Sequence, residues 1–228
     1  MAIESRADTQ LEREGKAPFH FQSAVHILRV EPHRSGNLSE FLNTLKVCSQ
    51  ESIFQHTFRT LQEHHFLQEG YSNDFAHWAL VACKEPELAE RLSALDVREF
   101  TTLAGLRTRL VQIVDEHLVS NPSAATRRAS EPFYFCSSGT VVLPTTVVAR
   151  NLPEFTEAIA RISVHSVHYH FIEARLRLRL NSNDFSVWLD REIGPNRAAD
   201  LINDIDFYTL TLQGVRNRIL RILEGALD

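Results

Sequence analysis

Residues 73–78 read Asn-Asp-Phe-Ala-His-Trp, and residues 183–188 read Asn-Asp-Phe-Ser-Val-Trp. Asn before Asp suits a helix start. The Asn side chain accepts from a free backbone N–H, and the Asp carboxylate favours the positive end of the helix dipole. Phe75 and Trp78, like Phe185 and Trp188, stand three apart and share one inward face. The spacing therefore predicts helices beginning at Asn73 and at Asn183, and the chain is read outward from this duplicated start.

Sliding the sequence by 114 residues lays 18–56 on 132–170 without a gap. Identical pairs include Pro18/Pro132, Phe19/Phe133, Phe21/Phe135, Asn37/Asn151, Phe41/Phe155, Ser49/Ser163, Ser52/Ser166 and His56/His170. The register then shortens, so that Ser72 to Trp78 fall on Ser182 to Trp188, and later Gly105, Arg107 and Arg109 fall on Gly214, Arg216 and Arg218. Self-similarity at a fixed period is the mark of a repeated unit. The expected organisation is a mobile tail at 1–16, a first repeat domain at 17–119, a linker at 120–130 and a second repeat domain at 131–228.

Each half has the same predicted elements. Phe19-His20-Phe21 and Phe133-Tyr134-Phe135 alternate like strands, and Ser137-Ser138-Gly139 before Thr140-Val141-Val142-Leu143 reads as the turn of a small hairpin. Leu38, Phe41, Leu42 and Leu45 keep one buried helical face, as do Leu152, Phe155, Ile159 and Ile162. Asn37 and Asn151 stand at their N-caps. Further helices are expected at 52–66 and 166–178, at 86–95 and 195–205 with Pro in the first turn, and at each end around Leu106/Leu110 or Val215/Ile219. The predicted fold is mainly α: two homologous five-helix domains, each with a small N-terminal β-hairpin.

Gly and Pro number eight each, few for a turn-rich fold. The net charge of −5 argues against nucleic-acid binding by bulk charge. Cys48, Cys83 and Cys136 form no Cys-x-x-Cys pair, which leaves neither a disulfide framework nor a thiolate zinc site. The first residues lack the apolar core of a signal peptide, and no apolar run reaches membrane-spanning length. A cytoplasmic protein without nucleic acid or membrane as partner is expected.

The candidate site is the set kept in both halves: Ser52, His56, Asn73, Asp74 and Trp78, with Ser166, His170, Asn183, Asp184 and Trp188. An imidazole facing a carboxylate on the next helix has two readings. It is the pair of an acid–base site, or a hydrogen-bonded pin holding two helices together. Neither a nucleophile nor a second base accompanies it, which favours the pin. Arg175 and Arg177, beside His165 and His168, would suit an anionic group. His64, His65 and His77, or His165, His168 and His170, lack the helical i, i+4 ligand spacing of a zinc site, so no metal is expected; His170-x-x-Glu173 is a loose echo of carboxylate–histidine sites.

The strings Ser52-Ile53-Phe54-Gln55-His56-Thr57, His64-His65-Phe66-Leu67 and Asn73 to Trp78 resemble an uncharacterised bacterial domain family of unknown function. Val167-His168-Tyr169-His170-Phe171, Glu173-Ala174-Arg175-Leu176 and Asn183 to Trp188 resemble it again. The resemblance implies two tandem copies of that domain and carries no activity with it. Phe58 stands where the family pattern leads one to expect a polar residue, often His. The expected function is a non-enzymatic tandem helical module presenting a surface for a protein partner or regulatory ligand, with no cofactor. The alternative is an anion-binding protein or enzyme using His170, Asp184 and Arg175 or Arg177; the binding candidates are His56, Asn73, Asp74, His170, Arg175, Arg177, Asn183 and Asp184.

Overall fold

The computed structural model describes residues 15–59, 72–178, 181–195 and 197–227. The expected tail at 1–16 lies almost wholly outside them, as do the end of the helix expected at 52–66 and His64 and His65.

The described chain is mostly helical. Helix α1 is Leu38–Val47, and α2, Gln50–Phe54, runs on as a π-helical turn, Gln55–Arg59. Helices α3, Asp74–Val81, α4, Pro86–Ser93, and α5, Leu103–Ser120, complete the first series. The second series has α6, Leu152–Arg161, followed by α7. That helix opens as Val164–Val167, passes through a π turn at His168–Glu173 and ends as Ala174–Leu178. Then come α8, Asp184–Trp188 with a π turn at Leu189–Ile193, α9, Arg197–Asn203, and α10, Leu212–Leu227. The caps are those read from sequence: Asn37, Asn151, Asn73 and Asn183 each accept the backbone N–H three residues on. Ser49 and Ser163 cap α2 and α7 in the same way.

The two expected hairpins are not formed. Phe19–Ser35 is one strand, β1, and Phe133–Ala149 is another, β2, each 17 residues long. The two pair with each other as a single antiparallel sheet. Thr145 Oγ1 donates to the Phe21 carbonyl and Thr140 meets His26, the descending order of an antiparallel ladder. The expected turn at Ser137-Ser138-Gly139 fails because nothing forces it. Gly139 does not take a positive φ, and the β-branched residues after it simply continue the extended chain. Pro32 and Pro144 are tolerated because each strand of a two-stranded sheet has an open edge.

Compact units divide inside these strands. One unit gathers residues up to Val25 with those from Val141 onward, and so holds α6–α10; the other is His26–Thr140 and holds α1–α5. Residues 120–130 are held within the α1–α5 unit: Ser39 N–H donates to Ala125 O, Ala129 N–H to Gly36 O and Ser130 N–H to Ala82 O.

Each unit has an aromatic core. In the α1–α5 unit, Phe41 meets Phe75, Trp78, Phe133 and Phe135 with ring centroids 5.0–5.7 Å apart. In the α6–α10 unit, Phe155 stacks on Trp188 at 4.9 Å and meets Phe19, Phe21 and Phe185. Burying each such ring contributes about 1.5–3 kcal/mol. The rings of β1 thus pack on the helices of the second series, and those of β2 on the helices of the first.

Candidate functional site

A π turn admits one extra residue per turn and re-aims the side chains it carries. His56 lies in the π turn after α2 and His170 in that of α7. In each unit the turn swings the imidazole between the start of the next helix and the strand lying on the aromatic core.

In the α6–α10 unit, His170 Nδ1 is 2.7 Å from Asp184 Oδ2, while the backbone N–H of Gln22 donates to His170 Nε2 at 2.8 Å. In the α1–α5 unit, His56 Nδ1 is 2.8 Å from Asp74 Oδ2, and the Cys136 N–H donates to His56 Nε2 at 2.9 Å. A backbone amide can only donate, so Nε2 is the acceptor in both rings and the ring proton sits on Nδ1, facing the carboxylate. Both rings are buried, and Phe19 or Phe133 lies against each at about 5 Å.

Two further groups hold the strand. The Trp188 indole N–H donates to the Ala17 carbonyl at 2.9 Å, and the Trp78 indole to the Glu131 carbonyl at 2.8 Å. Ser166 Oγ donates to the Gln22 carbonyl at 2.5 Å. Ser52 Oγ, its counterpart, is buried without a hydrogen-bond partner among the described residues. All these contacts read backbone, so the clamp recognises an extended segment rather than particular side chains, apart from the two inward Phe.

Asn73 and Asn183 are buried caps that also brace the helix after next: Asn73 Nδ2 donates to the Leu92 carbonyl and Asn183 Nδ2 to Asn203 Oδ1. Arg175 is buried as well, with its guanidinium on Asn181 Oδ1 at 2.7 Å and the Asn203 carbonyl at 3.3 Å. A shallow cleft of about 330 Å³ exposes an edge of the His170–Asp184 pair beside His20, Trp188, Arg191 and Glu192, and Arg175 does not line it. The structure thus joins His170 to Asp184 and leaves Arg175 elsewhere. The side chain of Arg177 lies outside the described residues. Phe58 is fully buried, with its ring stacked on Phe54 at 5.8 Å.

Glu173 pairs with His168, at 2.9 Å from Nδ1, not with His170. At the strand end of the first clamp, burial raises the Cys136 thiol above its ordinary range, and the Asp74 and Glu31 carboxylates push the same way. Sequence reading found the His, Asp and Trp of each clamp and missed what they hold. The repeated Pro-Phe-x-Phe at 18–21 and 132–135 was the available signal.

Among the described residues no helix is long and apolar enough to cross a membrane. A model described as a family of unknown function (DUF5752) matches residues 16–224. It runs once through both halves, so two tandem copies of the family are not what the match shows. The solved structure of OrfY from the archaeon Thermoproteus tenax is similar, with a TM-score of 0.83, 31% sequence identity, and coverage of 95% of this chain and 98% of that one. The similarity to an archaeal protein does not support the bacterial origin expected from the resemblance. No curated protein matches.

Proposed function

The chain belongs to this family of unknown function, DUF5752, and we propose that it is a non-enzymatic binding module, built by duplication within one family domain, that presents a surface to a protein partner or a regulatory ligand. The observation carrying this reading is that both ring nitrogens of His56 and of His170 are engaged, one by a carboxylate and the other by a strand N–H. A general base needs a lone pair within reach of substrate. Here that lone pair receives a backbone proton in both units, in buried rings. The duplication is supported by equivalent residues performing the same task in both units. A partner surface is supported by Ile27, Leu28 and Val30 of β1, which are 59–63% exposed.

Replacing His170 by Ala tests the reading. A purely structural clamp predicts a melting temperature lower by about 5 °C or more. An unchanged melting temperature would overturn it and return His170 to acid–base chemistry.

A further inference from the structure

We propose that the groove between α9 and α10 is a binding site for a small organic anion, a carboxylate or phosphate carrying an apolar body. The inference deepens the binding-module reading by naming a ligand class and its site. The groove encloses about 460 Å³, within the usual range of small-molecule sites. Its rim carries Arg197 from α9 and Arg218 and Arg221 from α10, and no acidic side chain among the described residues lines it. None of the three guanidinium groups has a hydrogen bond or ion pair with another described residue. Some other surface arginines are paired, Arg91 with Glu116 and Arg161 with Glu157, and what sets these three apart is that they line one groove together. In a chain of net charge −5, three cations lining one groove, each without a partner among the described residues, favour an anion.

The walls supply the second half of the recognition. Ala198, Leu201, Ile222 and Ala226 line the groove, and Leu201 is 43% exposed. Gly225 leaves its wall open, since a Cβ built there would meet nothing within 4 Å. Arg218, Arg221, Ile222 and Gly225 follow the i, i+3, i+4, i+7 spacing, so α10 presents cations and apolar surface on one face. A planar guanidinium grips carboxylate or phosphate oxygens in pairs, while the apolar walls cover a short alkyl chain or one aromatic ring.

The test is calorimetric titration of the full chain with octanoate and with phenyl phosphate, using octanol and phenol as the neutral counterparts. The two anions distinguish a carboxylate from a phosphate preference. At least one anion is expected to bind, and its neutral counterpart to bind about tenfold more weakly or not at all. The double change Arg218→Gln and Arg221→Gln should weaken anion binding about tenfold or more with an unaltered melting temperature, because neither side chain has a partner to lose among the described residues. Gly225→Leu places a side chain into the groove without a clash and should abolish binding in a chain at least as stable. Failure of both anions to bind, equal binding of the neutral compounds, or full affinity in either variant would overturn the site. Because the His170→Ala melting test does not involve this groove, failure here is distinguishable from failure of the binding-module reading.

Discussion

His170 and Gln22 are joined by a hydrogen bond of 2.8 Å in which a backbone amide donates to an imidazole nitrogen, across 148 positions of sequence. Asp184, 2.7 Å from the other nitrogen, fixes the ring so that its acceptor faces the strand. The equivalent bond in the α1–α5 unit joins His56 to Cys136. Removing the ring leaves a strand N–H without its acceptor and opens a void among aromatic side chains. His170→Ala and His56→Ala are therefore each expected to cost about 2–4 kcal/mol in chemical denaturation. Long-range ¹H–¹⁵N spectra should place the ring proton on Nδ1 in both residues. Proton placement on Nε2 would contradict the arrangement. Asp184 is less exposed than Asp74, at 14% against 34% of the side chain, so Asp184→Ala should be the costlier change.

The two clamp serines should respond differently to the same substitution. Ser166 Oγ bonds the Gln22 carbonyl, and Ser166→Ala is expected to cost about 1 kcal/mol. Ser52 Oγ has no such bond, and Ser52→Ala should be neutral or slightly stabilising. Equal losses in the two variants, measured by urea denaturation, would refute the asymmetry.

Glu85 gathers a buried network in the α1–α5 unit. Its carboxylate accepts from His117 Nε2 at 3.0 Å, Asn121 Nδ2 at 3.3 Å and Arg127 at 2.7 Å. The network ties the start of α4 to the end of α5 and to the 120–130 segment. Glu85→Ala leaves buried donors unmet and should cost about 2–4 kcal/mol. Arg127 is half exposed and can rehydrate, so Arg127→Ala should cost less than about 1 kcal/mol. Comparable losses in both variants would count against this account.

Burial pushes the Cys48 thiol up to about 11 and the Cys83 thiol up to about 12, from an ordinary value of 9.0. The folded state thus holds these protons more tightly than the unfolded chain does. Stability from them is complete below pH 9 and falls as pH rises from 9 toward 11–12. Melting temperatures across that window should fall less steeply in a Cys48→Ala, Cys83→Ala variant than in the parent. An identical slope would exclude the thiols as the cause. In labelling at neutral pH, Cys136, the least buried of the three, should react first.

Helix starts and buried faces were legible because they rest on local physics. Asn37, Asn73, Asn151 and Asn183 cap helices through a neighbour three residues away, and the stripe Leu38, Phe41, Leu42, Leu45 repeats at helical spacing whatever it packs against. The members of each clamp were legible too, since the repeat singled out His56, Asp74 and Trp78 with His170, Asp184 and Trp188. The three arginines of the α9–α10 groove drew no attention, because only folding of α9 beside α10 brings Arg197 to Arg218 and Arg221.

By itself the sequence determined the helical class, the caps, the aromatic core residues and the paired His–Asp constellations. It left undecided which strand each constellation holds. Phe19-x-Phe21 and Phe133-x-Phe135 present the same rings at the same spacing, so either could fill either core with equivalent local contacts. Only the tertiary structure placed Phe19 and Phe21 with Phe155, Phe185 and Trp188, and Phe133 and Phe135 with Phe41, Phe75 and Trp78. The deciding factor is chain length between elements. A strand that continues for 17 residues cannot fold back on its own helices as a short hairpin would, and it pairs instead with its equivalent from the other half.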